Sequence, residues 1–234
     1  MQAAILAGGL GTRLYPLTHN TPKAMITVAG KPFLEWQLAL LRANGVDDII
    51  LLVGHQAEPI MDHFGDGSRF GMSVRYSIEG DVLLDTAGAI RHALPFLNAH
   101  FFVTFADSYL RLPYRQIWDD YESKGLRALM VVYRNENQFD TSDVRVEKGY
   151  VTAYQKTPPL PGAYYINDGL MIIRHDDIAK IPEGHKMSLQ TFFQPIIARS
   201  GLAAWETTQR FYEIGSFSGL KELEETLVSE ISSR

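Results

Sequence analysis

Leu6-Ala7-Gly8-Gly9-Leu10-Gly11-Thr12-Arg13, entered from the apolar run Ala3 to Ala7, decides the fold of this chain. A short apolar strand that runs straight into glycines is the entrance to a phosphate-cradling loop, because residues without a Cβ let backbone N–H groups converge closely on an anion. The spacing is neither that of a P-loop, which needs Gly-Lys-Ser/Thr, nor that of the GxGxxG dinucleotide fingerprint. A plain tight turn is the alternative. The surrounding charge favours an anion: Met1 to Leu34 contains no Asp or Glu, whereas Arg13, Lys23 and Lys31 are present.

Beyond the loop, strand and helix patterns alternate, which predicts an α/β fold: a Rossmann-like mixed, mostly parallel central sheet with helices on both faces. Strands are expected at Ala3 to Ala7, Ile49 to Val53, Ser73 to Ser77, His100 to Phe105, Ala128 to Tyr133, Tyr164 to Ile173, Leu202 to Thr207 and Arg210 to Ile214. Helices are expected at Phe33 to Asn44, Ala57 to Phe64, Ala87 to Leu94, Tyr114 to Lys124, Leu189 to Arg199 and Leu220 to Ile231. Val144 to Val146, the Lys148-Gly149 turn and Val151 to Tyr154 read as a β-hairpin before a proline-rich loop, and are expected to form a small insertion lobe. No repeat or linker divides the chain, so residues 1–234 are expected to be a single domain.

Composition sets limits. With 46% hydrophobic and 21% charged residues, the 234-residue chain has ample material for a core. It has no cysteine, which excludes disulfides, thiolate zinc and a cysteine nucleophile, and fits the cytoplasm. The N-terminus lacks the basic region of a signal peptide, and no apolar run is long enough to cross a bilayer. A formal net charge of −5 argues against nucleic acid as a partner. Neither His55, His63, His92 nor His175 shows a metal-ligand spacing.

After the glycine loop come Leu14-Tyr15-Pro16-Leu17-Thr18, Thr21-Pro22-Lys23-Ala24-Met25 and Gly30-Lys31-Pro32, then Gly65 to Gly71, Thr86-Ala87-Gly88-Ala89-Ile90, Gln155-Lys156-Thr157-Pro158, Asn167-Asp168-Gly169 and Glu213-Ile214-Gly215-Ser216. This composite resembles the signature of the sugar-1-phosphate nucleotidyltransferases, among them the mannose-1-phosphate and heptose-1-phosphate guanylyltransferases and N-acetylmuramate-1-phosphate uridylyltransferase. The resemblance spans nearly the whole chain, and implies a nucleotide-binding half over about 1–110 and a sugar-phosphate-binding half over about 111–234. It implies condensation of a nucleoside triphosphate with a sugar 1-phosphate to give a nucleotide sugar and pyrophosphate, with Mg2+ as cofactor, in a monomer or homodimer. GTP and a mannose- or heptose-configured 1-phosphate are the favoured substrates. Alternatives are UTP or CTP as donor, a phosphocholine-type acceptor, which Tyr109, Tyr154, Tyr164 and Tyr165 keep open, and a catalytically silent subunit that binds nucleotide sugar.

The reaction holds two anions together and neutralises charge as it develops. Arg13 suits the β- and γ-phosphates through its planar fork, and Lys23 suits the α-phosphate as a point charge; both are the expected catalytic cations. Leu6, Ala7, Gly8, Gly9, Gly11, Thr12, Asp85, Thr86 and Gly88 are the expected nucleotide-binding residues. Asp85 stands where relatives carry Gly; it either accepts from the N1–H and amine of guanine or caps the following helix. Asp107 follows a fully apolar strand and so lies at a carboxyl end, where ligands collect in open sheets. The resemblance makes Asp107 and Glu213 the magnesium ligands, with Ala106 in place of the usual Gly and Glu213 in place of the usual Asp. It assigns Asp107, Gln155, Lys156, Asn167 and Asp168 to the sugar phosphate. Gln155 replaces a common Glu, and Asp168, where a small residue is usual, either meets a hydroxyl or caps a turn. The chain ends soon after Glu213, so a minimal single-activity enzyme is expected.

Overall fold

In the computed structural model the described residues are 1–9, 11–54, 56–80 and 82–232; Leu10 of the glycine loop and His55 lie outside them. In chain order the first half comprises β1 (Gln2–Leu6), β2 (Thr27–Val28), β3 (Lys31–Pro32), α1 (Phe33–Ala43), β4 (Asp48–Val53), α2 (Ala57–Phe64), β5 (Ser73–Ile78), α3 (Asp85–His92), β6 (His100–Phe105) and β7 (Ser108–Tyr109). The second half comprises α4 (Tyr114–Ser123), β8 (Ala128–Arg134), β9 (Val144–Glu147), β10 (Tyr150–Tyr154), β11 (Tyr165–Arg174), α5 (His175–Ile178), α6 (Leu189–Ile197), β12 (Leu202–Thr207), β13 (Tyr212–Glu213) and α7 (Phe217–Ser232).

Nine strands form one mixed sheet in the order β5-β4-β1-β6-β11-β8-β12-β10-β9. Pairing is parallel from β5 through β4 and β1 to β6, and again between β8 and β12, but antiparallel where β11 meets β6 and β8. Strand interiors are apolar on both sides, as a covered sheet requires. Ala3 and Ile5 join one buried cluster with Ile49, Leu51 and side chains of α1, α2 and α4; Ala4 joins another with Ile50, Leu52 and side chains of α3, α5 and α6. Each fully buried Ile or Leu in these layers contributes roughly 1.5–3 kcal/mol. A third cluster, with Phe33, Tyr109, Ile214, Leu223 and Leu227, seats α7.

The expected insertion lobe is corrected by the topology. β10 pairs with β12 through Tyr150 and Ala203, and β9 also pairs with β11 through Val144 and Tyr165, so both strands of the hairpin are bonded into the main sheet. The physical reason is the length of β11: β6 pairs with it only from Leu170 onward, and Tyr165, beyond that point, pairs with Val144 of β9.

What matters for function is the point where the sheet reverses. From β1 the chain builds outward through β4 and β5, then returns to place β6 on the other side of β1. The parallel strands β1 and β6 end side by side, and Ala106 N–H donates to Leu6 O at 2.9 Å. A crevice outside the carboxyl ends of strands at such a switch point is the natural ligand position of an open α/β sheet.

Candidate active site

A cavity of about 280 Å³ opens at this switch point. Leu6, Ala7, Gly8 and Gly9 line it from the end of β1, Phe105, Ala106 and Asp107 from the end of β6, and Asp85 and Thr86 from the start of α3. Lys23 completes it from a 3-10 turn after Pro22. Lys23 Nζ donates to Asp107 Oδ2 at 2.6 Å, and the lysine side chain is only 13% exposed. A nearly buried ammonium is thus held beside a carboxylate at the mouth of an apolar crevice, where its field acts on an incoming anion through little water.

The loop geometry explains the glycines. Gly11 has φ +61°, and a Cβ there would stand 2.9 Å from Thr18 Cγ2 and 3.2 Å from Lys23 Cβ. Thr18 Oγ1 donates to Gly11 O at 2.9 Å, so the turn is packed against the segment that delivers Lys23. Gln37, buried on α1, donates through Nε2 to Phe105 O at 2.8 Å and Ser108 O at 2.9 Å, which pins both sides of the Asp107 turn.

Glu213 arrives from the far end of the chain. β13 pairs with β7 so that Glu213 lies opposite Ser108, and Ile214 N–H donates to Asp107 O at 2.9 Å. The Glu213 carboxylate is held by the turn that follows it. Its Oε1 accepts from Ser216 Oγ at 2.9 Å, and its Oε2 accepts from Gly215 N–H, so it organises the turn entering α7. Gly219 permits this packing, since a Cβ there would lie 2.3 Å from Glu213 O. Arg13 reaches the same place: a Cβ on Gly215 would be 3.1 Å from Arg13 Nη2. Lys31 leaves the basic group, pairing with Glu35 at 3.1 Å and lying over the Trp36 ring.

Several expected positions fall elsewhere. Gly11 and Thr12 support the loop without lining the cavity. Gly88 is corrected: it is buried against the 185–187 segment, where a Cβ would be 2.7 Å from His185 O, and Ala89 and Leu83 line the cavity instead. Asp85 adopts φ +61° as the first residue of α3, and its Oδ1 accepts from Thr86 N–H at 2.6 Å, a cap-like contact made while it still borders the cavity.

Lys156 stands at the border, its Nζ 5.8 Å from the ring centre of Phe105. Beside it Asp143 accepts from Asn167 N–H at 2.9 Å; burial raises the Asp143 carboxyl to about 6, opposed by that bond and by Lys156. Asn167 donates through Nδ2 to Tyr154 Oη at 3.3 Å, and Gln155 donates through Nε2 to Pro158 O at 2.7 Å. Asp168 is the clearest correction. It is 3% exposed and neither carboxylate oxygen has a partner among the described residues, so it presents nothing to a sugar. It lies near buried Tyr114, and burial raises it to about 7.

Sequence reading missed Glu79, which lines the cavity just past the end of β5 and accepts from Leu84 N–H at 3.0 Å through Oε1. Its Oε2 approaches Gly8, where a Cβ would lie 3.3 Å away. An acid immediately after an alternating strand and before Gly80 was the available signal. Leu52, Leu83, Ala24 and Ala89 carried none, because apolar residues at a cavity wall read as core.

A glycine loop, an ammonium–carboxylate pair and a second carboxylate gathered at the switch point of a mixed sheet define the class of nucleotide-handling α/β proteins. The family model described as nucleotidyl transferase matches residues 2–230, and the chain belongs to that family. It is 31% identical over 218 residues to the D-glycero-alpha-D-manno-heptose 1-phosphate guanylyltransferase of Campylobacter jejuni, covering 92% of this chain and 95% of that protein. It is 32% identical to the UTP–glucose-1-phosphate uridylyltransferase of Synechocystis, covering 90% of this chain. The chain spans only 58% of that enzyme's length and, over a shorter match, 45% of a Neisseria meningitidis N-acetylmuramate alpha-1-phosphate uridylyltransferase. Among solved structures, HddC from Yersinia pseudotuberculosis complexed with GMP-PN superposes with a TM-score of 0.80 at 25% identity, covering 97% of this chain and 99% of that one. No helix among the described residues is long and apolar enough to cross a membrane.

Proposed function

We propose that the chain is a sugar-1-phosphate nucleotidyltransferase that uses Mg2+, with GTP as donor and a mannose- or heptose-configured 1-phosphate as acceptor. The observation that carries this reading is the 2.6 Å pair between Lys23 Nζ and Asp107 Oδ2 inside the cavity floored by Gly8 and Gly9. In the reaction a phosphate oxygen of the sugar 1-phosphate attacks the α-phosphorus in line. A P–O bond forms, the bond to the bridging oxygen of the β-phosphate breaks, and pyrophosphate leaves with the electron pair. Lys23 holds the α-phosphate and meets the charge that grows on it; Arg13 holds the leaving phosphates; Lys156 receives the acceptor phosphate at the Phe105 side of the cavity.

Asp107 and Glu213 would hold the metal. Two carboxylates one ladder step apart, completed by substrate phosphates, form the all-oxygen set that magnesium prefers, and each oxygen that now accepts from Lys23, Ser108, Gly215 or Ser216 keeps a further lone pair. When bound, the ion supplies charge neutralisation on the reacting phosphates.

The guanine preference draws on the base end of the crevice. Glu79 and Asp85 both border it, and a carboxylate accepts the paired N1–H and amine of guanine, whereas uracil offers one N–H. The Campylobacter relative, matched along nearly its full length, points the same way. UTP is the second reading, favoured by the Synechocystis relative. The absence of cysteine suits work in the cytoplasm, as a monomer or homodimer. The test is pyrophosphate release with Mg2+ across four triphosphates and a panel of sugar 1-phosphates. GTP with a mannose- or heptose-type acceptor should lead; release with no pair, together with tight binding of a nucleotide sugar, would mean a silent binding subunit.

A further inference from the structure

Glu213 reaches the site on the β7–β13 ribbon, which has only two residue pairs, and a ribbon this short does not hold its register by backbone bonding alone. A stack of alternating rings and guanidinium groups runs along it. Tyr109 and Tyr212 lie opposite each other across the ribbon, and Arg111 Cζ stands 5.6 Å from the centre of the Tyr109 ring and 5.4 Å from that of Tyr212. Arg210 Cζ stands 5.3 Å from the centre of the Tyr212 ring and 4.1 Å from that of Phe139. All four separations fall within about 6 Å, the range in which a ring face attracts a cation. Both arginines also bind α7. Arg111 pairs with Glu230 at 2.5 Å, and Arg210 takes both oxygens of Glu222, one of them through Nη2 at 2.6 Å. Arg210 Nε is buried with no acceptor among the described residues, so on that edge ring packing, not a hydrogen bond, holds the group.

The far end of the stack is fixed to the main sheet. Phe139 N–H donates to Asn135 Oδ1 at 3.2 Å, Asn135 Nδ2 donates to Asp140 O at 2.6 Å, and Ser142 Oγ accepts from Asn137 N–H at 3.1 Å; Asn135 and Ser142 are buried. The Phe139 ring also meets Tyr133, at the end of β8, and Phe211, with ring centres 6.0 Å and 6.2 Å away. Phe139 thus has a rigid seat, Arg210 lies against Phe139, and Tyr212, the residue before Glu213, lies against Arg210. Beyond Glu213, Ile214 N–H donates to Asp107 O at 2.9 Å. Slack at Tyr212 is therefore slack between the two carboxylates.

We propose that Arg210 is a positioning residue: its guanidinium, set between Phe139 and Tyr212, keeps Glu213 beside Asp107. Its bearing on the metal rests on the reading of these two acids as magnesium ligands given above. The planar group is required, because an ammonium neither covers two ring faces nor takes both oxygens of Glu222. Amide hydrogen exchange on the full chain reads the bond between Ile214 and Asp107 without metal or turnover. Arg210→Lys and Arg210→Met should each speed exchange at Ile214 about tenfold or more, and Phe139→Leu about threefold, the scale of one exposed cation–ring contact. Phe139 is 43% exposed, so its replacement leaves the core intact. Phe139→Tyr, which keeps the ring, should match the parent, and Glu222→Gln, which loosens α7 but spares the stack, should change Ile214 far less than Arg210→Lys does. Exchange at Ile50, inside the sheet, should stay as in the parent throughout and so separates local slack from lost stability. The Mg2+ concentration for half-maximal pyrophosphate release should rise in Arg210→Lys as it does in Glu213→Gln. Parent-like exchange at Ile214 in Arg210→Lys, or an equal rise at Ile214 and Ile50, would overturn the inference. So would a Mg2+ requirement that Glu213→Gln raises and Arg210→Lys leaves alone. A requirement that neither variant moves, with Ile214 exchange raised in Arg210→Lys, would instead overturn the metal reading and leave Arg210 as the group that holds Glu213 in place.

Discussion

Replacing Asp168 by Asn isolates the consequence of burying an unpaired acid beneath the site. The carboxyl is 3% exposed, neither oxygen has a donor among the described residues, and burial raises it to about 7 from an ordinary value of 3.8. Because the folded protein holds this proton more tightly than the unfolded chain, the group's contribution is undiminished below about pH 4 and is lost progressively as pH rises to 7 and beyond. A shift of about three units corresponds to a ceiling of about 4 kcal/mol. Local relaxation and water entry lower such ceilings, so about 2 kcal/mol is the expected realised effect. Asn fills the same space and cannot ionise. Asp168→Asn should therefore gain on the parent between pH 5 and pH 8 by about 2 kcal/mol, or about 4–8 °C in Tm for a chain of this size. Denaturant melts of both proteins at several pH values give the difference directly and cancel the titration of every other group. Parallel stability profiles for the two proteins would refute the reasoning, as would a parent that gains on the variant at alkaline pH.

Lys23→Met should lower kcat about 10²–10³-fold, the scale for removing one preorganised charge from a phosphoryl-transfer site, in the pyrophosphate assay; a loss under tenfold would remove Lys23 from the chemistry. Asp107→Asn and Glu213→Gln should each raise the Mg2+ concentration for half-maximal rate, and Glu213→Gln should also cost about 1 kcal/mol in a thermal melt through its weakened hold on Gly215 and Ser216. An unchanged metal titration in both would dismiss the pair as ligands. Gly11→Ala, forced to φ +61° with its Cβ 2.9 Å from Thr18, should cost about 2 kcal/mol and lower activity together. A neutral result in melt and assay would show that the loop relaxes freely.

What sequence makes legible here is what backbone chemistry dictates locally. The apolar runs of β1, β4 and β6 name themselves as buried strands, and the glycines after the first and Asp107 after the last are legible from position, whereas Lys23 enters through the resemblance and the acid-free stretch around it. Side-chain facing is harder, because it depends on register. The shift in β11 between Asn167 and Met171 breaks the simple alternation, and Asp168, adjacent in sequence to the hydrogen-bonded Asn167, ends up buried near Tyr114. Helix starts shift for a related reason. α3 begins at Asp85 instead of Ala87, with Asp85 left-handed, and α7 begins at Phe217 instead of Leu220, after a turn organised by Glu213. Gly88 reads as a phosphate glycine but is required by the carbonyl of His185, a contact between segments nearly a hundred residues apart that no local pattern contains.

The two-residue ladder between Ser108–Tyr109 and Tyr212–Glu213 also has a bearing on how the chain acquires competence. Closing a loop of about a hundred residues carries a slowly growing entropic cost and is repaid only once the distant contacts form. Until α7 docks on Phe33 and Tyr109, a nascent or partly unfolded chain carries Asp107 and Lys23 but not Glu213 beside them. On the proposed function such a chain would grip a triphosphate without the second carboxylate, and the seating of the last helix would be the event that turns a nucleotide holder into a complete site.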